Sequence, residues 1–301
     1  MILLQIAFLF LGCAMPTLRD DVFLDEKWES GTEVVDSGAD MFYWLFKARK
    51  PSTSQPPLII WLQGGPGISS LFGLFGINGP YTFDFTKPDA ILKKREYAIN
   101  NKYDAMYVDQ PISVGFSLAN DTSKVCSTNQ CAAQHFAIFL NKFFMKHEEY
   151  RRRDLYIFGE SYAGSYIPVL AEYIYKEQNP YINLKGVGIG DGKTDPSTQI
   201  SSCPYYAIEN KMINQFEFIS SVICFGIARL FIWLDMRPIA ESLLHGGDGY
   251  CYDMILGNPR RYNPFNIHWI YIKGDCFFGE RIRKRGIGCS WEDMEFRKFL
   301  Y

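Results

Sequence analysis

Ser161 is the residue best placed to act as a nucleophile. It stands in Leu155-Tyr156-Ile157-Phe158-Gly159-Glu160-Ser161-Tyr162-Ala163-Gly164, an apolar run that passes into small residues around a serine and then into a helical pattern. A tight strand-to-helix turn exposes such a hydroxyl, and it closes only with small residues two before and two after the serine. Gly159 and Ala163 occupy those positions, so the pattern departs from G-x-S-x-G by one methyl. A second segment offers the matching electrostatics. The apolar run Leu58–Leu62 leads into Gln63-Gly64-Gly65-Pro66-Gly67. Glycine-rich backbone after an early strand can bring an amide to a developing oxyanion, and the amide after the nucleophile, Tyr162, is the other donor. Taken singly, each segment has a plainer reading: a structural serine after a strand, or an ordinary turn. Together and in this order they favour acyl-transfer chemistry.

A serine hydroxyl attacks a carbonyl only when a base removes its proton. The order on such a turn is Ser, then an acid, then His. His135 and His147 precede Ser161 on one helical segment; His245 and His268 follow it, in Leu244-His245-Gly246-Gly247-Asp248 and Asn266-Ile267-His268-Trp269. None has a context that assigns it to the nucleophile, so hydrolysis is expected to be impaired or absent in the chain as it stands. No C-x-x-C pair occurs among the eight cysteines, so no zinc site is expected, and no other metal or cofactor is called for.

The elements that must carry these residues are legible as periodicity. Met41–Phe46, Leu58–Leu62, Ala105–Val108, Leu155–Phe158 and Gly186–Ile189 are short apolar runs bounded by turn residues, as buried strands are. Residues 132–147 place Phe136, Phe139, Leu140, Phe143 and Phe144 on one helical face, and 162–176 also read as helix, with a kink at Pro168. Alternating strand and helix predicts an α/β fold with a mostly parallel sheet and helices on both faces. Residues 213–245 are helical in pattern and read as a cap or insertion. The apolar stretch Phe218–Trp233 is a cap helix on this reading rather than a membrane span, being short and holding Arg229.

Residues 2–14 form a short apolar run ending in small residues, read as a secretory signal cleaved near Ala14, although a basic leading segment is missing. Cys13 would leave with it, and the odd number remaining implies disulfides plus one unpaired thiol. Asn120-Asp121-Thr122 is a glycosylation sequon. A net charge of −2 gives no reason to expect nucleic acid or an acidic membrane surface as partner.

Four segments together carry a family resemblance. Trp61-Leu62-Gln63-Gly64-Gly65-Pro66-Gly67, Tyr107-Val108-Asp109-Gln110-Pro111, Gly159-Glu160-Ser161-Tyr162-Ala163-Gly164 and Ile189-Gly190-Asp191-Gly192-Lys193-Thr194-Asp195-Pro196 resemble, in this order, the serine carboxypeptidase family, and most of all its vitellogenic-like branch. The likeness is dense from Met41 to Pro196 and loose beyond. It implies an α/β-hydrolase fold with a helical cap insertion. It gives Ser161 as nucleophile, Gly65 and Tyr162 as oxyanion donors, and Trp61, Gln63, Gly64 and Glu160 as the group that holds a substrate's C-terminal carboxylate. A carboxyl beside that carboxylate must carry a proton, because two like charges at contact repel, so such a site favours acidic pH and excludes internal peptide bonds.

The chain also departs from the pattern. The family's catalytic Asp and His belong to the last strands of the sheet, beyond the segments that match here, and those C-terminal strands are expected to be lacking. Asp275, in Lys273-Gly274-Asp275-Cys276, imitates the acid's context but comes too early. Ile77 stands where the family has a glutamate, Ile68 where it often has a cysteine, and Ser113 and Val114 interrupt a glycine-containing loop. The expected division is a signal over 1–14, the N-terminal part of a hydrolase domain over 15–200 and a cap region over 201–301. The expected function is removal of C-terminal residues from peptides, inactive as given. The alternatives are a non-catalytic protein that binds peptide C-termini or a protein partner, and an esterase or acyltransferase on the same fold. The partner is a peptide or protein C-terminus, the mature chain has no membrane span, and the location is outside the cell or in a lysosome-like or endocytic compartment.

Overall fold

The structure is a computed structural model, and it describes residues 23–84 and 91–245. The chain divides after Gly192 into two compact units. The first is built on a seven-stranded sheet. Its strands are β1 (Trp28–Asp36), β2 (Ala39–Phe46), β3 (Leu58–Leu62), β6 (Asp104–Val108), β7 (Leu118–Ala119), β8 (Asp154–Glu160) and β9 (Asn183–Gly190). The spatial order is β1-β2-β6-β3-β8-β9, with β7 beside β2. β3 lies parallel to both β6 and β8, and β8 is parallel to β9, while β1 and β2 are antiparallel additions at one side. A separate hairpin pairs β4 (Tyr81–Asp84) with β5 (Ile91–Lys94).

Alternation along the strands sets the two faces. Leu58, Ile60 and Leu62 of β3, Met106 and Val108 of β6, and Leu155 and Ile157 of β8 pack into one core with Phe136, Phe139, Phe143 and Phe144 of helix α1 (Asn129–Lys146) and Ile167, Leu170 and Ile174 of α2 (Ala163–Glu177). Thr128 caps α1 by accepting from the Cys131 amide. Pro168 lies inside α2 and removes the amide that would reach back to Gly164. The opposite face carries Trp44 and Phe46, which meet Phe23, Phe75 and Tyr81 ring to ring at 5.3–6.2 Å.

Two buried aspartates close the ends of β6. At its start, Asp104 accepts from the Tyr150 hydroxyl (2.6 Å), the Ala48 amide (2.8 Å) and Arg153 (3.2 Å). Just past its end sits Asp109. Parallel strands leave crevices at their carboxyl ends, so Asp109 is the one that belongs to a site.

The second unit is described over residues 193–245. It holds α3 (Pro196–Gln199), α4 (Cys203–Glu209), α5 (Gln215–Trp233) and α6 (Arg237–His245) around a small core of Ile200, Ala207, Ile213, Phe225, Ala228 and Leu244. α5 begins with a reciprocal cap: Asn214 Oδ1 accepts from the Phe216 and Glu217 amides, and Glu217 Oε2 accepts from the Asn214 amide at 2.8 Å. By length and composition α5 could cross a bilayer. Cys224, Phe225 and Ala228 of this helix pack into the small core. Among the described residues a disulfide joins Cys126 to Cys131, Cys224 is also disulfide-bonded, and Cys203 is a free thiol. The expected signal cleavage near Ala14, Cys13, His268 and Asp275 lie outside the described residues.

Candidate active site

Ser161 stands in the tight turn between β8 and α2 with φ of +59°. A non-glycine residue in that left-handed region costs about 1–2 kcal/mol, so the surroundings must hold it there. They do so with backbone hydrogen bonds. The Ser161 amide donates to Gly190 O at 3.0 Å, and Ser161 O accepts from the Gly164 amide at 2.9 Å. Gly159 is required at the turn's entrance: a Cβ there would lie 2.5 Å from Leu62 O and 2.6 Å from the Ala163 Cβ. The methyl that breaks G-x-S-x-G is therefore accommodated at Ala163 because its counterpart is absent at 159.

Gly64 meets this turn from the other side. A Cβ at Gly64 would fall 2.4 Å from the Tyr162 nitrogen and 2.7 Å from Glu160 O. Only bare backbone fits, and the glycine-rich loop after β3 lies directly against the turn that carries Ser161. Gly65 follows, at φ of +111° and solvent-exposed, and Gly67 at +94°. The Tyr166 hydroxyl on α2 receives the Gly67 amide, and burial raises its pKa. Gly64, next to Gly65, is thus brought against Tyr162 by two segments far apart in sequence.

Beside them runs a chain of side chains. The Trp61 indole N–H donates to Gln63 Oε1 at 3.1 Å, and Gln63 Nε2 donates to Glu160 Oε2 at 2.8 Å. Trp61 crosses Gly73, where a Cβ would strike its Nε1 at 2.2 Å. Gln63, in the middle of the row, is buried, and Trp61 and Glu160 at its two ends are half-buried. All four residues assigned to carboxylate holding, Trp61, Gln63, Gly64 and Glu160, gather within two residues of the strand ends of β3 and β8. Ile77 is half-buried at the close of a π-helical turn, Gly73–Ile77, and brings no carboxyl to the row. Asn120 is exposed, its backbone bonded to Gly38 O at 2.9 Å.

Sequence reasoning gave no role to the group that fixes the loop. Ser70 Oγ accepts from the Gln63 amide (3.1 Å) and donates to Val108 O (2.5 Å). Asp109 Oδ1 accepts from Ser69 Oγ (2.6 Å) and the Ser70 amide (2.9 Å), and its Oδ2 from the Phe116 amide (2.9 Å). Burial pushes the Asp109 carboxyl up to about 6, against the pull of these donors. Asp109 therefore ties the 63–70 loop to the 110–117 loop. The signal was present: a carboxyl immediately after a central strand, before Gln110-Pro111.

The two histidines of this unit are engaged elsewhere. His135 Nδ1 is 3.4 Å from Cys126 Sγ. His147 stacks on Phe143 and reaches the Tyr43 hydroxyl at 3.3 Å, with Glu29 and Glu149 each 3.6 Å from its Nδ1. Among the described residues no histidine is hydrogen-bonded to Ser161. The sulfurs of Cys126 and Cys131 near His135 are bonded to each other rather than offered to a metal.

The family profile of the serine carboxypeptidases matches residues 20–236, most of the chain and all of this geometry. The chain belongs to the serine carboxypeptidase family. Serine carboxypeptidase-like 49 of Arabidopsis thaliana is 39% identical over 184 residues, which cover 60% of this chain and 35% of that protein. The probable serine carboxypeptidase CPVL of Pongo abelii is 39% identical over 219 residues, 69% of this chain and 44% of that one. Vitellogenic carboxypeptidase of Aedes aegypti is 36% identical over 179 residues. The chain thus spans between a third and a half of the length of curated relatives it matches. The crystal structure of Kex1(Δ)p, a prohormone-processing carboxypeptidase from Saccharomyces cerevisiae, superposes with a TM-score of 0.64 at 25% identity over 81% of this chain and 57% of that one. The mostly parallel sheet with its helices is that of an α/β-hydrolase.

Proposed function

We propose that this carboxypeptidase-family chain binds the C-terminal carboxylate of a peptide at Trp61, Gln63, Gly64 and Glu160, and presents Ser161 to the last peptide carbonyl without turning it over. The observation that carries the reading is the hydrogen-bonded row Trp61–Gln63–Glu160, which ends one residue before a serine at positive φ. In this reading Gly65 and Tyr162 are the amide donors to the carbonyl oxygen, and Ser161 is a nucleophile whose proton has no acceptor among the unit's histidines. A ligand carboxylate laid against Glu160 needs one proton between the two groups, so binding strengthens toward acidic pH. Asn120, exposed, carries a glycan in a chain that enters the secretory route, toward the outside or a lysosome-like compartment.

Calorimetric titration with an N-blocked dipeptide at pH about 5, where the carboxyl pair can hold a proton, tests the reading. Binding is expected for the free acid and not for the C-terminal amide, with no release of the terminal residue and no labelling of Ser161 by a fluorophosphonate. Equal binding of acid and amide would remove the carboxylate site. A Ser161-dependent release of the terminal residue well above background would remove the claim of idle chemistry.

A further inference from the structure

The most anomalous surface of the molecule is α5. Its 19 residues include two charges, and 17% of its most apolar window is buried. Phe216 and Trp233 are each 78% exposed, Ile219 is 52%, Ile223 58% and Leu230 51%. These residues are not scattered. Phe216, Ile223 and Leu230 repeat every seven residues, and Ile219, Gly226 and Trp233 repeat every seven between them. That is the spacing of a helix seam made to meet another helix.

From this seam we infer that α5 pairs with α5 of a second copy of the chain, antiparallel, about a two-fold axis between Cys224 and Phe225. The seam is complementary to itself in that register. An antiparallel pair sets the first position of one repeat beside the second of the other. Phe216 of one copy then lies beside Trp233 of the other, Ile219 beside Leu230, and Ile223 beside Gly226. The bulkiest exposed apolar residue of the middle turn thus faces the one position with no side chain, and a Cβ at Gly226 has nothing within 4 Å. Arg229, exposed on the seam's flank, falls level with Ser220 of the other copy, so no like charges meet. The contact is isologous and closes as a dimer, since both copies spend the same face. The five large side chains present on the order of 700 Å² per copy, near the roughly 800 Å² per partner of a stable specific interface. An apolar patch of that size is uncommon on a monomer.

The test is sedimentation equilibrium of the full chain from micromolar to high micromolar concentration, in samples free of intermolecular disulfides by non-reducing electrophoresis. A reversible dimer is expected. Gly226→Gln is the decisive variant. It adds a side chain where the single copy has open space and replaces a poor helix former, so circular dichroism and the thermal midpoint are expected to hold or rise. In the dimer the same side chain occupies the place of Ile223, and association is expected to weaken at least tenfold. Ile223→Gln is expected to weaken association with the fold intact. A monomer across the whole range overturns the inference, as does a dimer indifferent to both variants. Hydrogen-exchange protection of the seam in a monomer would assign the face to residues 246–301, and co-sedimentation with phosphatidylcholine vesicles would assign it to lipid; either result overturns the pairing.

Discussion

A Cβ on Gly159 would stand 2.6 Å from the Cβ of Ala163, so the turn that presents Ser161 has room for one methyl and not two. Gly159→Ala is expected to cost about 2–3 kcal/mol, the scale of overpacking a closed site. Ala163→Gly is expected to cost at most about 1 kcal/mol through helix propensity. The double variant is not restored, because the added Cβ at 159 still meets Leu62 O at 2.5 Å. Urea midpoints of the three variants check this; recovery in the double variant would show that the methyl pair, and not the backbone, sets the limit.

Ser161 holds φ of +59°, and alanine at the same place keeps that strain while glycine releases it. Ser161→Gly is expected to unfold at higher urea than Ser161→Ala, by about 0.5–1 kcal/mol after the extra chain entropy of glycine is counted. Equal stability of the two would mean the turn carries no strain.

Asp109 gives the pH dependence its sign. Its folded value is raised to about 6 by burial, above the ordinary carboxyl value near 4. The folded state therefore binds the proton more tightly than the unfolded chain. The stability this contributes is fully present below about pH 4 and is lost as pH rises through about 6, on the order of 3 kcal/mol in all. Asp109→Asn removes the titration, so the difference in unfolding free energy between wild type and variant is expected to shrink or reverse across that window. A constant difference from pH 4 to 7 would count against the buried proton.

Gln63 both donates to Glu160 and accepts from Trp61. Gln63→Leu keeps volume but frees both partners. Affinity for a free-acid dipeptide is expected to fall about tenfold or more, the worth of one or two lost hydrogen bonds. The C-terminal amide is expected to bind neither protein. Titration of both ligands against both proteins tests the carboxylate site.

The parts of the molecule that periodicity could reach were those buried on one or both faces. β2, β3, β6 and β8 are runs of apolar residues, and α1 and α2 show their phenylalanine and isoleucine stripes. β1 escaped notice because Trp28–Asp36 alternates with exposed polar residues and holds Gly31 in its middle, so its strand state comes from pairing with β2 rather than from composition. The β4–β5 hairpin escaped for the same reason. In the site, the turn at Ser161 and the glycine-rich loop after β3 were legible because glycine, serine and strand ends mark them, whereas Trp61, Gln63 and Glu160 came only from the resemblance to the family. The Ser70–Asp109 brace was not, since a serine and an aspartate in loops are common and their meeting depends on β3 and β6 lying side by side.

The closeness of Gly64 to the Tyr162 nitrogen also bears on how this chain can drift. Surface connections between the two segments can lengthen or shorten without disturbing the place where they touch, as loop insertions cost little. Position 64 has no such latitude, because any side chain would wedge the glycine-rich loop off the helix start. A saturation library would therefore read Gly64, like Gly159, as a position that admits one amino acid, while the exposed connections between them tolerate change.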